Sequence, residues 1–152
     1  MLFLVDISQL LTVALLGLLA GALWAEGELL VPYWKTLSSD EFYKLHPQYA
    51  PRLFKFFAPI TALTPPVAVV AALLAWYNNA PTAWWSTGTA LLAASLIAIY
   101  FVYFSQTNAA FARAAISADQ LAGELNRWHN WHRLRVVICM LAFFLSIGAI
   151  SQ

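Results

Sequence analysis

The sequence predicts an all-α protein, a four-helix transmembrane bundle with both termini on the non-cytoplasmic side. Three observations lead there. Only 10% of the 152 residues are charged while 62% are hydrophobic, against about 25% charged in an ordinary soluble domain. Four segments are apolar over the roughly 20 residues that a helix needs to cross a hydrocarbon core of about 30 Å. All eight lysines and arginines lie in or beside two of the three connections. The length would allow a soluble domain with a proper core, but so few charges could not cover its surface. A net charge of +1 gives no electrostatic case for nucleic acid, and none is expected as a partner. The single cysteine, Cys139, excludes an internal disulfide.

The first span covers about 9–33. It reads as a retained helix rather than a cleaved leader, because the first basic residue is Lys35 and no convincing cleavage site precedes Glu26. The second span covers about 53–77 and the third about 84–107. The fourth covers about 132–150 and continues backwards into a helical stretch at 119–131. The link after Tyr77, Asn-Asn-Ala-Pro-Thr, reads as a brief turn, and the other two connections are longer and polar. Lys35, Lys44, Arg52 and Lys55 flank the first of these, and Arg113, Arg127, Arg133 and Arg135 flank the third. The excess of basic residues puts both long connections in the cytoplasm. The expectation is a multi-pass protein of the plasma (inner) membrane, a single domain over 1–152 with no internal repeat, and the lipid bilayer as its first partner. Within the second span, Pro59, Pro65 and Pro66 should interrupt the backbone ladder near Lys55, Thr61 and Ala62. Such breaks are tolerated at membrane depth only against protein or a cavity. Thr61 and Thr64 can instead bond back to the freed carbonyls.

An ionisable group inside a span is costly and by default functional. Glu26 and Glu28 both sit inside the first span and, at 100° per residue, point nearly opposite ways. Gly17 and Gly21 form a small-xxx-small stripe, the usual surface for close helix approach. Glu28 and Trp24 fall near that stripe, so Glu28 is expected to be the buried carboxylate, paired with Arg135. The plainer alternative is that either acid snorkels to the interface. The fourth helix opens Arg127-Trp-His-Asn-Trp-His-Arg-Leu-Arg135. Trp128, His132, Arg135 and Cys139 share one face, with Trp131 flanking, and a face of that chemistry should look inward. Arg127 and Arg133 read as lipid-phosphate anchors. Topology then gathers Glu28, His46, Asn108, His129, His132 and Arg135 at one end of the bundle, near Tyr100. His46, beside Pro47, reads as an ordinary loop histidine.

An Asn after the third span, followed by Arg-Trp-x-x-Trp-His-x-x-Arg entering an apolar helix, resembles the anthrone oxygenase-like family of small four-helix membrane proteins. The matching residues are Asn108, Arg127, Trp128, Trp131, His132 and Arg135, and the stretch from Gly17 to Pro32 is also similar. The family often has Asn-x-Pro-Leu-Asn at the end of the third span, where this chain has Phe-Ser-Gln-Thr-Asn108. Its activity implies oxidation of an anthrone to an anthraquinone with oxygen and no tightly bound cofactor.

Three functions compete. In the first, a membrane-embedded oxygenase or oxidoreductase acts on a hydrophobic aromatic small molecule by base-assisted oxidation with O2. Catalysis falls to Glu28, His132, Arg135 and Asn108, and Trp24, Trp128, Trp131 and Tyr100 line the substrate slot. In the second, Glu28, His46, His129 and His132 supply ligands for iron, copper or haem, although no recognised ligand spacing is present. In the third, the chain is a non-catalytic lipid-binding or assembly subunit of a larger membrane complex. A homo-oligomer is compatible with all three.

Overall fold

The computed structural model describes residues 2–151, and four long helical rods account for nearly all of them. Each rod is long and apolar enough to cross a membrane: Phe3–Thr36, Ser39–Tyr77, Ala83–Ala112 and Ala118–Ile150. The first consists of α1 (Leu2–Ala25), a π turn over Glu26–Leu30, and α2 (Val31–Thr36). The second is α3 (Ser39–Tyr77). The third is α4 (Ala83–Ile99), a second π turn over Tyr100–Phe104, and α5 (Ser105–Ala112). The fourth is α6 (Ala118–Ile150). α1 packs between α3 and α6, and α4 packs between the same two helices on the opposite side. Both termini therefore share one end with the short link after Tyr77, and the basic residues gather at the other.

The first long connection is not a loop. Only Leu37 and Ser38 separate α2 from α3, and the polar stretch that follows is the opening of a 39-residue helix. Ser38 caps it reciprocally. Its hydroxyl accepts from the Glu41 amide at 3.4 Å, and the Glu41 carboxylate accepts from the Ser38 amide at 2.9 Å. At 1.5 Å per residue α3 is about 58 Å long, well beyond a hydrocarbon core of about 30 Å. α3 is thus longer than a single crossing requires.

The expected proline breaks are absent. Pro47, Pro51, Pro59, Pro65 and Pro66 all lie inside α3, which stays helical throughout. The tolerance does not come from back-bonding to the carbonyls that Pro65 and Pro66 free, those of Thr61 and Ala62. Thr64 donates to the Ile60 carbonyl at 2.7 Å. The wall it builds is nonetheless loose, since no residue from Pro47 to Leu63 is buried.

The π turn in the first rod has a local cause. Pro32 has no N–H for the Glu28 carbonyl, and the Val31 amide reaches back five residues to the Glu26 carbonyl. The buried residues Leu19, Leu23, Gly27 and Val31 follow at spacings of four. In an unbroken α-helix each such step drifts about 40°. The wide turn absorbs part of that drift and keeps Val31 inside.

The core divides along the bundle axis. Leu16, Leu19, Leu23, Leu96, Cys139 and Ala142 fill the middle. Val31, Trp34, Phe42, Phe104, Phe111 and Trp128 form an aromatic layer at the basic end. Near the termini the interior turns polar: Gln9 donates to Thr82 at 2.8 Å and to Ser86 at 3.1 Å. A cavity of about 10 Å³ beside them, lined by Thr12, Thr89 and Ser146 among others, is the size of one water.

Candidate functional site

The inward face of α1 carries Ser8, Gln9, Thr12, Leu16, Leu19 and Leu23. This is the side opposite to the one the glycine stripe suggested. Gly21 is open, with nothing within 4 Å of the position a Cβ would take, and Gly17 meets only the Phe143 ring. Glu26 continues the buried face, with its side chain 10% exposed, whereas Glu28 is exposed. The expectation that Glu28 is the buried acid is therefore corrected to Glu26. Small residues mark close approach only where a neighbour sits over them. Gln9 and Thr12 were the stronger signal, because uncharged polar groups in a span turn away from lipid.

His132 on α6 is completely buried. Its Nε2 lies 2.8 Å from the Leu23 carbonyl of α1. A carbonyl only accepts, so Nε2 carries the hydrogen, and in the neutral ring Nδ1 keeps a free lone pair. That Nδ1 has no hydrogen-bond partner and faces Glu26 Oε2 at 3.7 Å. Two groups able to hold one proton thus stand across a gap slightly too long for a hydrogen bond. Gly27 allows the approach, because a Cβ there would meet His132 Cδ2 at 3.1 Å and Nε2 at 3.3 Å. The imidazole also stacks on Trp128, with ring centres 5.0 Å apart and planes 8° from parallel.

Trp128 is itself fixed. Its indole N–H donates to Asn108 Oδ1 at 2.9 Å, and its ring meets Trp34 at 5.6 Å and Phe104 at 5.2 Å, both edge-to-face. One turn beyond His132, Arg135 is 7% exposed and lies 4.6 Å from the centre of the Phe104 ring. Its Nε has no partner, and among the described residues it makes no salt bridge with Glu28. Cys139 follows another turn along, its thiol 3.9 Å from the Leu16 carbonyl. On α3, the Thr61 hydroxyl is buried without a partner, and Pro65 deprives the Thr61 carbonyl of its helical donor. Unused hydrogen-bonding capacity therefore comes from both α3 and α6, helices that face each other across the bundle.

The remaining sequence candidates scatter. Tyr100 is half-buried, and Trp131 stacks on Tyr103 at 5.2 Å. Trp24 is 58% exposed and looks outward, away from the buried His132. His46 lies inside α3 rather than in a loop and is 5% exposed. Trp34, Phe42 and Phe111 cage it with ring centres 5.8, 5.1 and 5.6 Å away. Burial holds the His46 imidazole below its ordinary proton affinity. His129 accepts from Lys35 Nζ at 2.7 Å. Glu28, His46, His129 and His132 do not converge: among the described residues no three His, Cys, Asp or Glu side chains are grouped to hold a metal ion.

The chain matches no family model, no curated protein and no solved structure.

Proposed function

We propose that this protein is a membrane-embedded oxidoreductase that oxidises a hydrophobic aromatic small molecule with O2. The observation that carries the reading is the inward pair of Glu26 and His132, beside a buried Arg135, in a water-poor interior. The resemblance in the Arg127-to-Arg135 segment and Asn108 supports the same chemistry. In this reading Glu26 takes the role expected of Glu28, and the Trp128 indole, stacked on His132, forms the aromatic wall.

The reaction begins at an acidic C–H activated by a neighbouring carbonyl. The free Nδ1 of His132, or the Glu26 carboxylate, takes the proton. Arg135 stabilises the enolate that remains, as a fixed positive charge in a low-dielectric site. One electron passes from the carbanion to O2, and the two radicals combine into a C–O bond. The peroxide takes up a proton and then loses water, so a CH2 group and O2 become C=O and H2O. Glu26 and His132 together hold the proton that leaves and returns.

The test uses purified protein in lipid nanodiscs with 1,8-dihydroxyanthrone, read by quinone absorbance and oxygen uptake against protein-free autoxidation. Glu26→Gln and His132→Ala should each lose about 10²–10⁴-fold in turnover, the usual share of a positioned acid–base group. Glu28→Gln should retain it. Wild-type turnover no faster than autoxidation, or full activity in both Glu26→Gln and His132→Ala, rejects the proposal.

A further inference from the structure

The buried imidazole of His132 has one hydrogen bond, from Nε2 to the Leu23 carbonyl at 2.8 Å. That bond and the attachment at Cγ fix two points at opposite ends of the ring. Rotation about the line joining them remains, and it swings Nδ1 from one side to the other. The terminal torsion of a histidine is broad and roughly twofold, so the side chain itself does not choose. Nδ1 has no hydrogen-bond partner to choose for it. Its direction nonetheless decides the chemistry. As the ring stands, the lone pair of Nδ1 faces Glu26 Oε2 at 3.7 Å. With the ring turned over, Cδ2 would face the acid instead.

The plane of the ring is set by Trp128. Its indole lies 8° from parallel to the imidazole, with ring centres 5.0 Å apart. A stack fixes orientation only when the partner ring is itself fixed. Trp34 and Phe104 meet the indole edge-to-face, at 70° and 87°, but apolar contacts do not distinguish one edge of a ring from the other. The N–H does. Only one edge of the indole carries a donor, and it reaches Asn108 Oδ1 at 2.9 Å. Trp128 is 4% exposed, and a buried indole N–H needs such an acceptor. Asn108 comes from α5, Trp128 and His132 from α6 and Leu23 from α1, so the chain of contacts crosses three elements.

We infer that Asn108 is a positioning residue: through the Trp128 indole it holds His132 in one tautomer and one orientation, with hydrogen on Nε2 and a bare Nδ1 turned to Glu26. Asn108 acts through the ring it tethers and makes no hydrogen bond to His132 among the described residues. The orientation belongs to the fold, while its effect on turnover rests on the oxidoreductase reading.

NMR of protein with isotope-labelled histidine nitrogens, in lipid nanodiscs at a pH where the ring is neutral, tests the inference. The chain has three histidines, and the variants His46→Phe and His129→Gln assign the signals of His132 by elimination. The wild type should show a protonated Nε2 and a bare Nδ1 as two well-separated signals. In Asn108→Leu the two should converge as the tautomers exchange. Asn108→Asp should keep them apart, because a carboxylate oxygen accepts the same N–H. Should Asn108→Leu fail to fold, Trp128→Phe, which keeps a ring but no N–H, tests the same tether. Hydrogen on Nδ1 in the wild type overturns the inference. So do undisturbed signals in folded Asn108→Leu, the result expected if Asn108 served stability alone. In the anthrone assay Asn108→Leu should lose up to about 10²-fold in turnover, the cost of a small misplacement, and Asn108→Asp should recover it. A wild type without turnover rejects the oxidoreductase reading alone, because the nitrogen spectra decide the tether.

Discussion

Replacing Gly27 by alanine and Gly21 by alanine adds the same methyl group to the same helical rod, yet the two should act in opposite directions. In a helix interior, alanine is favoured over glycine by up to about 1 kcal/mol. At Gly21, where nothing lies within 4 Å of the new Cβ, that gain should be realised in part or in full. At Gly27 the Cβ meets His132 at 3.1 and 3.3 Å, tighter than ordinary contact. The imidazole has little room to adjust, because Trp128 stacks on its face with ring centres 5.0 Å apart. A shift also stretches the 2.8 Å bond from Nε2 to the Leu23 carbonyl. Overpacking costs about 1–3 kcal/mol, and a buried donor left short of its acceptor about 1–3 more. The propensity gain offsets only part of this, so Gly27→Ala should lose about 1–5 kcal/mol. Unfolding in mixed micelles by SDS titration, followed by tryptophan fluorescence, measures both variants against wild type. If Gly27→Ala proves as stable as Gly21→Ala, the imidazole does not lie against α1 and the site geometry is wrong.

Three further substitutions probe buried groups by the same assay. His46 is held neutral by burial, so below the unfolded-state value near 6.5 the unfolded chain binds more protons than the folded one. Its contribution to stability should therefore fall as pH drops through that value, by up to about 1.4 kcal/mol per unit, and level off below the folded value. His46→Phe fits the cage of Trp34, Phe42 and Phe111 and should flatten the acid limb of the stability profile; an identical limb would refute this. Thr61→Val removes a buried hydroxyl that has no partner and should raise stability by about 1 kcal/mol. Thr64→Val removes one bonded to Ile60 at 2.7 Å and should lower it. Equal losses in both would mean that the Thr61 hydroxyl is bonded after all.

The four rods could be read from hydropathy because each carries its own apolar run, independent of what it packs against. The inward face of α6 was equally legible, since Trp128, His132, Arg135 and Cys139 repeat at helical spacing and differ sharply from lipid-facing residues. Which acid turned inward was not. That choice depended on which neighbour covers α1, and the glycines carry no information about a neighbour that is not there. The opening turns of α3 were obscured by Pro47 and Pro51, which look like loop residues until the capping by Ser38 and Glu41 is weighed. The burial of His46 is hidden in the sequence for the same reason. A histidine beside a proline acquires a cage only when α2, α3 and α5 come together.

The wide turns at Glu26–Leu30 and Tyr100–Phe104 also determine where the chain can change length. Each holds one residue more than the axial advance requires, so each can give one up while the helix on either side keeps its heading. Leu29, 73% exposed, and Val102, 69% exposed, are the natural candidates. Deleting a residue from the middle of α1 would instead swing everything beyond it by about 100°. His132 would then lose the Leu23 carbonyl, and Trp34 would turn out of its aromatic layer.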